Sequence, residues 1–560
     1  MKFKFYALAF VVGFGLVSYF WGGLLVSKQV DPAATKTYFR AKAFSVVTQG
    51  GPLGEKLHVM HQGRPVAVNH VLKNTNSAWR HEQDKLFLVI VFFSAVAGGL
   101  ADAALWAWAS GRPVKQDEKR IRGTMVSDSK PVAKALSKVD FHARIGGVPY
   151  PVSAEVQGIT MVGAPGTGKT SAIIQLMQSA LDRGHRAIVL DPNGEFLERF
   201  WRDGDAILNP FDLRTEGWNP FAEVFNSWDV ERISKQLIPD GHGNEQEWIS
   251  YTQTFFSSVM ARLAETGRQS NKDLVYWLSI AGKDELKELL KGEPAAQMLE
   301  EGAHGIFGSV RSIMTRYVRA LQKLDVGAGA DNFSIRKWVR ESDGWLFLPY
   351  QADQLDALKD LLSCWLSVAG NQILGMPPDR DRRIWLFADE FARIGRIQGI
   401  TEILTNGRKH GLAPVLGLQT VAQLRDLYGR EQASVILACL SSMLILRAPD
   451  AETADAMSRT IGEQDVERKT VSENNKDRRK STSVSRTTVR AVLPSEIAGL
   501  PNNHGFLKLP GNISVARVQI PHPPLITGVR PQPFVPAEKP AEPAAQAEST
   551  AEFNLFGGGE

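Results

Sequence analysis

Residues 159–181 read ITMVGAPGTGKTSAIIQLMQSAL. An apolar strand, Ile159–Val162, runs into Gly163, Ala164, Pro165, Gly166, Thr167, Gly168, Lys169, Thr170 and Ser171. A helix with Ile173, Ile174, Leu176 and Met177 follows. This is a G-x-x-x-x-G-K-[ST] loop in the strand–loop–helix setting it requires. Its glycines let successive backbone N–H groups turn inward on an anion, and the helix N-terminus adds partial positive charge. Lys169 is expected to reach the β- and γ-phosphates of a nucleotide, and the Thr170 hydroxyl to ligate Mg²⁺.

Hydrolysis needs acids with different jobs, one to hold the metal and one to polarise water. Two apolar segments end in Asp: AIVLDPNGEF (187–196) and IWLFADEF (384–391). In the first, Pro and Gly follow Asp191 and mark a turn, so Asp191 is read as structural. In the second, Asp389 is the expected Mg²⁺ ligand and Glu390 the expected base. A solvated strand end is the bland alternative, but IWLF marks a buried strand, where an unpartnered acid pair is costly. The cofactors expected on this reading are ATP and Mg²⁺.

Downstream, APVLGLQT (413–420) reads as a neighbouring strand with Gln419 at its C-terminal end, where open sheets place their ligands. An amide there can sense the γ-phosphate or orient water. Between the two strands lies LTNGRKHG (404–411), a turn with the cations Arg408 and Lys409. By itself this pair fits solvation, a DNA contact or a charge offered to another subunit.

The elements that position these residues need a long chain, and 560 residues suffice for several domains. Hydrophobic content of 43% and charged content of 22% describe a mostly globular protein. The two cysteines, Cys364 and Cys439, exclude a multi-thiolate metal site. A net charge of +5 permits a polyanionic partner without requiring one. Uncharged apolar runs at about 5–26 and 86–108 are long enough for transmembrane helices. If the nucleotide chemistry is cytoplasmic, the intervening loop 28–84 is periplasmic, and its four histidines show no ligand pattern. Polar, basic residues 112–140 read as a juxtamembrane linker. More chain separates Lys169 from Asp389 than a minimal phosphate-loop core needs, and residues 229–325 carry helical periodicity. An all-α insertion is therefore placed at 226–330, with the chain returning to the sheet near GWLFLPYQ (344–351). The basic run 467–490 reads as a loop able to touch nucleic-acid phosphates. Residues 521–560, rich in Pro and Ala, read as a disordered tail.

GAPGTGKT, IVLDPNGEFLERF, AILNPFDLRTEGWNPF, LFADEF, LTNGRKHGL and GLQTVAQLRDLYG together resemble the type IV coupling proteins of bacterial conjugation, of the TrwB/TraD type. The resemblance implies a membrane anchor over 1–111 and a RecA-like motor domain over 141–225 and 331–520. An inserted all-α domain separates the two halves of that motor. It further implies a homo-hexameric ATPase of the inner membrane, multi-pass, stimulated by single-stranded DNA. Its expected partners are a relaxase within a relaxosome and the channel of a type IV secretion system. It also implies that Arg408 is an arginine finger reaching the nucleotide of the adjacent subunit, with Arg447 a second candidate. Rival readings are a receptor for protein effectors with ATPase-driven docking, and a segregation-type DNA translocase.

Overall fold

Strand Ile384–Ala388 carries no polar residue on either face, so it needs cover on both sides. Ile384, Leu386 and Ala388 join one buried cluster, and Trp385 and Phe387 join another. The same alternation divides Ile159–Val162 and Leu346–Tyr350, so both faces of the central sheet are roofed.

The computed structural model describes residues 25–26, 31–48, 57–110, 118–241, 245–300, 304–324, 333–473, 480–524 and 530–537. They form two compact units, residues 1–118 with 469–483, and residues 119–468 with 484–560.

In the larger unit a ten-stranded sheet runs through β1 (Val126–Asp128), β2 (Ile159–Val162), β3 (Arg186–Pro192), β4 (Ala206–Ile207) and β5 (Leu346–Tyr350). It continues through β6 (Ile384–Ala388), β7 (Leu412–Leu418), β8 (Ser442–Ile445), β9 (His504–Lys508) and β10 (Val515–Gln519). The spatial order is β1-β10-β9-β8-β2-β7-β6-β3-β5-β4. Every pairing from β8 to β4 is parallel. The β8–β9 and β9–β10 pairings are antiparallel. Thus β7, which leads to Gln419, lies between the phosphate-loop strand β2 and the acid-bearing strand β6.

Helix α1 (Lys169–Asp182) covers one face through Ile173, Leu176, Met177 and Ala180. The other face is covered by helix α5 (Leu355–Leu374) and by the helices between β4 and β5, chiefly α2 (Ser227–Leu237), α3 (Glu245–Glu265) and α4 (His304–Val318). This insertion does not close a core of its own, as a separate domain would. Phe255, Phe256 and Met314 are continuous with Ile188, Leu190 and Leu348 of the sheet. Glu223 staples its ends together, accepting Trp218 Nε1–H at 3.0 Å, Ile335 N–H at 2.7 Å and Arg336 N–H at 3.0 Å. Trp218 in turn meets Trp365 edge-on, at 5.8 Å between ring centroids.

Two stretches expected to be irregular carry regular backbone pairing. The basic run 467–490 is not simply a loop: Glu463–Glu473 and Lys480–Arg490 are strands, as the β-branched STSVSRTTV favours. The tail is not structureless from 521. Leu213 N–H donates to Val535 O at 2.7 Å and Ala537 N–H to Phe211 O at 2.9 Å, laying residues 530–537 along the 211–213 segment. The backbone of the Pro-rich strap finds its partners in that segment, which composition does not reveal. The tail beyond 537 lies outside the described residues.

In the smaller unit, helix Pro32–Thr48 and the hairpin His58–His61/Arg64–Ala67 pack around Ala41, Val59 and Val68. Gln62 and Gly63 both have positive φ, as a tight two-residue hairpin turn demands. Tyr38 Oη–H donates to Asp84 Oδ1 at 2.6 Å, tying the helix to the start of Ser77–Ser110. Over these residues the expected loop 28–84 is folded. Within Ser77–Ser110, Trp79–Leu100 is long and apolar enough to cross a membrane and overlaps the expected span at 86–108. It is the one such helix among the described residues. The expected span at 5–26 lies outside them except for Leu25 and Val26.

Candidate functional site

The carboxyl ends of β2, β6 and β7 converge on one cleft. β2 passes into the phosphate loop, which is fixed to both neighbouring strands. Gly163 N–H donates to Leu418 O at 3.1 Å, and Ala164 N–H to Arg447 O at 2.8 Å. Gly168 holds φ 108°, and a Cβ there would meet Asn503 Oδ1 at 2.7 Å, so both conformation and space require glycine. The Thr167 hydroxyl donates to Ala164 O at 2.6 Å and so serves the loop itself.

Lys169 is buried, and its Nζ donates to Gly163 O at 2.6 Å and Ala164 O at 3.3 Å. Burial pushes its pKa down, while the negative charges of Asp389 and Glu390 oppose that shift. The Thr170 hydroxyl donates to Asp389 Oδ2 at 2.7 Å. Asp389 Oδ1 is buried without a hydrogen-bond partner among the described residues. A Cβ on Gly417 would lie 2.7 Å from that oxygen, so the neighbouring strand keeps a glycine beside it. Burial raises the Asp389 pKa, against the opposing effects of the Thr170 hydrogen bond and Lys169.

Glu390 adopts φ 62° and ψ 41°, a left-handed conformation rare outside glycine. Its carboxylate takes Gln419 Nε2–H on Oε1 at 2.6 Å and Arg393 Nη1–H on Oε2 at 2.6 Å. The resulting cleft has a volume of about 350 Å³, with Lys169, Thr170, Asp389 and Glu390 among its lining residues. Pro165, Gly166, Gly168 and Ser171 line it as well. Gly163, Ala164 and Thr167 shape the loop from behind, and Gln419 enters only through Glu390.

Arg408 is elsewhere. It is exposed in the turn Gly407–His410, at the amino end of β7, and the seven-residue strand separates it from Gln419. That distance, roughly 20 Å, is beyond the reach of its side chain to its own cleft. Arg447 is on the opposite edge, beside its own phosphate loop. Asp191, read as structural, accepts Phe196 N–H at 3.1 Å and Leu197 N–H at 2.7 Å, capping a helix start.

Asn503, His522 and Arg393 were not anticipated. Asn503 N–H donates to Thr167 O at 3.0 Å, and its side chain meets His522 Nε2 at 3.0 Å at the cleft mouth. The PNNHG turn was the one available signal for Asn503, and it carries no link to a loop so distant in sequence.

A sequence profile of the type IV secretion-system coupling protein DNA-binding domain matches residues 142–521. The chain belongs to this family. It is similar to coupling protein TraD of Escherichia coli K12, 30% identical over 421 residues that cover 73% of this chain and 59% of TraD. It therefore spans well under two thirds of that relative's length. Among solved coupling proteins, the unbound bacterial conjugative coupling protein TrwBΔN70 superposes with a TM-score of 0.69 at 33% identity, over 75% of this chain and 96% of that one. Plasmid coupling protein TrwB in complex with ADP and Mg²⁺ gives 0.68 at 33% identity, over 74% and 96%. The profile match at 142–521 spans the phosphate loop, the strand leading to Asp389 and Glu390, and the helical insertion between β4 and β5.

Proposed function

We propose that this protein is an inner-membrane coupling ATPase with a RecA-like motor. In this reading it links a relaxase–DNA complex to a type IV secretion channel and drives single-stranded DNA transfer as a homo-hexamer. The observation that carries the ATPase reading is the meeting of Lys169, Thr170, Asp389 and Glu390 in one cleft at the carboxyl ends of parallel strands. Membership of the coupling-protein family supports the cargo and the channel. The exposed Leu88, Phe92, Phe93 and Leu100 on Ser77–Ser110 support a lipid-facing helix.

The donor set fits a magnesium nucleotide. Mg²⁺ favours a few hard oxygens and keeps room for phosphate, and Thr170 Oγ1 and the unpartnered Asp389 Oδ1 are oxygens of that kind. TrwB is itself solved with ADP and Mg²⁺. When bound between Thr170 and Asp389, the ion supplies charge neutralisation at the phosphates. The backbone N–H groups of 166–170 hold the phosphates. Lys169 exchanges the carbonyls of Gly163 and Ala164 for phosphate oxygens and stabilises the charge that develops on them. Glu390, oriented by Gln419, accepts a proton from water as its oxygen attacks the γ-phosphorus and the bond to the β-phosphate oxygen breaks.

The test is ATP hydrolysis by the full chain in lipid nanodiscs, with and without single-stranded DNA across a salt series, together with the mass of the assembly. Faster turnover with DNA, fading as salt rises, and a hexameric mass are expected. Turnover indifferent to DNA at every salt concentration counts against a DNA motor.

A further inference from the structure

Glu390 is reached from two sides. On one it lines the phosphate cleft with Lys169 and Asp389. On the other it meets Arg393, which lines a second cavity of about 530 Å³ with Asp240, Arg316 and Asp360. The Glu390–Arg393 turn closes twice, through the side chains at 2.6 Å and through Arg393 N–H donating to Glu390 O at 2.9 Å. The loop that carries Arg393 is fastened at its far end to the helical insertion. Gln398 Nε2–H donates to Asp240 Oδ2 at 2.6 Å, and Asp240 N–H donates to Gln398 Oε1 at 3.2 Å. Gln253, on α3, donates to Asp240 Oδ1 at 3.1 Å. Hydrogen bonds at both ends of loop 391–398, and the short chain between them, thus join the insertion to the Glu390 carboxylate.

We propose that Arg393 is a positioning residue for Glu390, and that loop 391–398 transmits the position of the helical insertion to that carboxylate. This rests on the reading of Glu390 as the base. Gln419 and Arg393 each occupy one carboxylate oxygen, from different elements, which fixes the plane and leaves further lone pairs for water. The ion pair is partly open to solvent, with the Arg393 side chain 40% and that of Glu390 20% exposed. Such a pair adds little to folding stability, so its consequence is orientation. The left-handed backbone at Glu390 increases the need for it, because a strained turn keeps its geometry only while its surroundings hold it.

The experiment measures kcat and KM for ATP, and the Kd for ADP, in full-chain Arg393→Ala, Arg393→Lys, Gln398→Ala and Glu390→Gln. Arg393→Ala is expected to lower kcat about tenfold, with KM and Kd within about twofold of wild type. Arg393→Lys, which keeps the cation, should retain at least about half of kcat, and Gln398→Ala should lose a smaller factor than Arg393→Ala. Wild-type kcat in Arg393→Ala overturns the proposal. So does an equal loss in the Ala and Lys variants accompanied by weaker ADP binding, the sign of a merely structural role. Wild-type kcat in Gln398→Ala overturns the transmission through the loop. Should Arg393→Ala fail to fold, Arg393→Met, which keeps the bulk and removes the cation, takes its place, and wild-type kcat in it refutes the positioning role. Normal hydrolysis by Glu390→Gln instead removes the base reading itself. An inactive Glu390→Gln beside an unaffected Arg393→Ala refutes the positioning role alone.

Discussion

Thr170 and Asp389 stand 219 positions apart in the chain, and the threonine hydroxyl donates to the aspartate carboxylate at 2.7 Å. Parallel strands β2 and β6, separated by β7, bring them together at the carboxyl ends of the strands. The contact sets two hard oxygens side by side, with Asp389 Oδ1 free of other partners among the described residues.

From this pair follows a metal-dependent affinity. Asp389→Asn and Thr170→Val are each expected to remove most of the Mg²⁺-dependent part of nucleotide binding, a loss of roughly tenfold or more. Affinity measured in EDTA should barely change. Fluorescence titration with a labelled ADP, with and without Mg²⁺, checks it. An undiminished Mg²⁺ effect in both variants would falsify the assignment.

Lys169 concerns the phosphates directly. Its ammonium is buried and held by loop carbonyls, and it is the one Lys or Arg lining the cleft among the described residues. Lys169→Ala should reduce kcat by at least about 100-fold. The fold should survive, because the side chain fills no hydrophobic core. Phosphate-release kinetics and a thermal melt separate the two effects.

Asp191 yields a pH dependence. Burial pushes its carboxyl up to about 7 from the ordinary aspartate range, against the helpful N–H groups of Leu197 and Phe196. A carboxyl whose pKa is raised on folding binds protons in the folded state that the unfolded chain has released. Its contribution to stability therefore falls as pH rises from about 4 to about 7 and levels off above. Asp191→Asn abolishes that titration at the cost of one N–H acceptor. The wild-type-minus-variant stability should decline between pH 4.5 and 7.5 by on the order of 3 kcal/mol. Urea melts at the two pH values measure it, and a constant or rising difference contradicts the raised pKa.

Residues in local pattern were legible from sequence alone. The phosphate loop is a contiguous motif whose spacing carries its own geometry, and an apolar strand ending in Asp389 and Glu390 declares its cleft end. Gln419 was legible for the same reason, as the polar end of a buried strand. Arg393 was not, because its role depends on Glu390 adopting a left-handed backbone that folds the chain back within three residues. Asn503 was equally hidden. It reaches Gly168 only because the antiparallel β9 and β10 extend the sheet beyond β8. The strap at 530–537 escaped notice because it is held by backbone hydrogen bonds and by the buried Asp212, which accepts Val535 N–H at 3.2 Å. Pro-rich composition forbids a core of its own but says nothing of a groove elsewhere.

The proposed arginine-finger role of Arg408 needs a second subunit, because the residue stands away from its own cleft. It is exposed at the amino end of β7, the strand end opposite the nucleotide cleft. A guanidinium there is too far from its own cleft to meet a γ-phosphate, so in the proposed ring its charge would serve a neighbouring subunit. Arg447, beside its own phosphate loop, lacks that separation. Arg408→Ala should therefore leave ADP affinity within about twofold and lower kcat on the order of 10³-fold. The decisive measurement mixes Arg408→Ala subunits, whose cleft is intact, with Lys169→Ala subunits, whose Arg408 is intact. If the charge acts in trans, some clefts in mixed rings receive both groups, and turnover rises well above the sum of the two inactive proteins. Mixed rings that stay inactive, or Arg408→Ala rings that hydrolyse normally, return this turn to solvated surface.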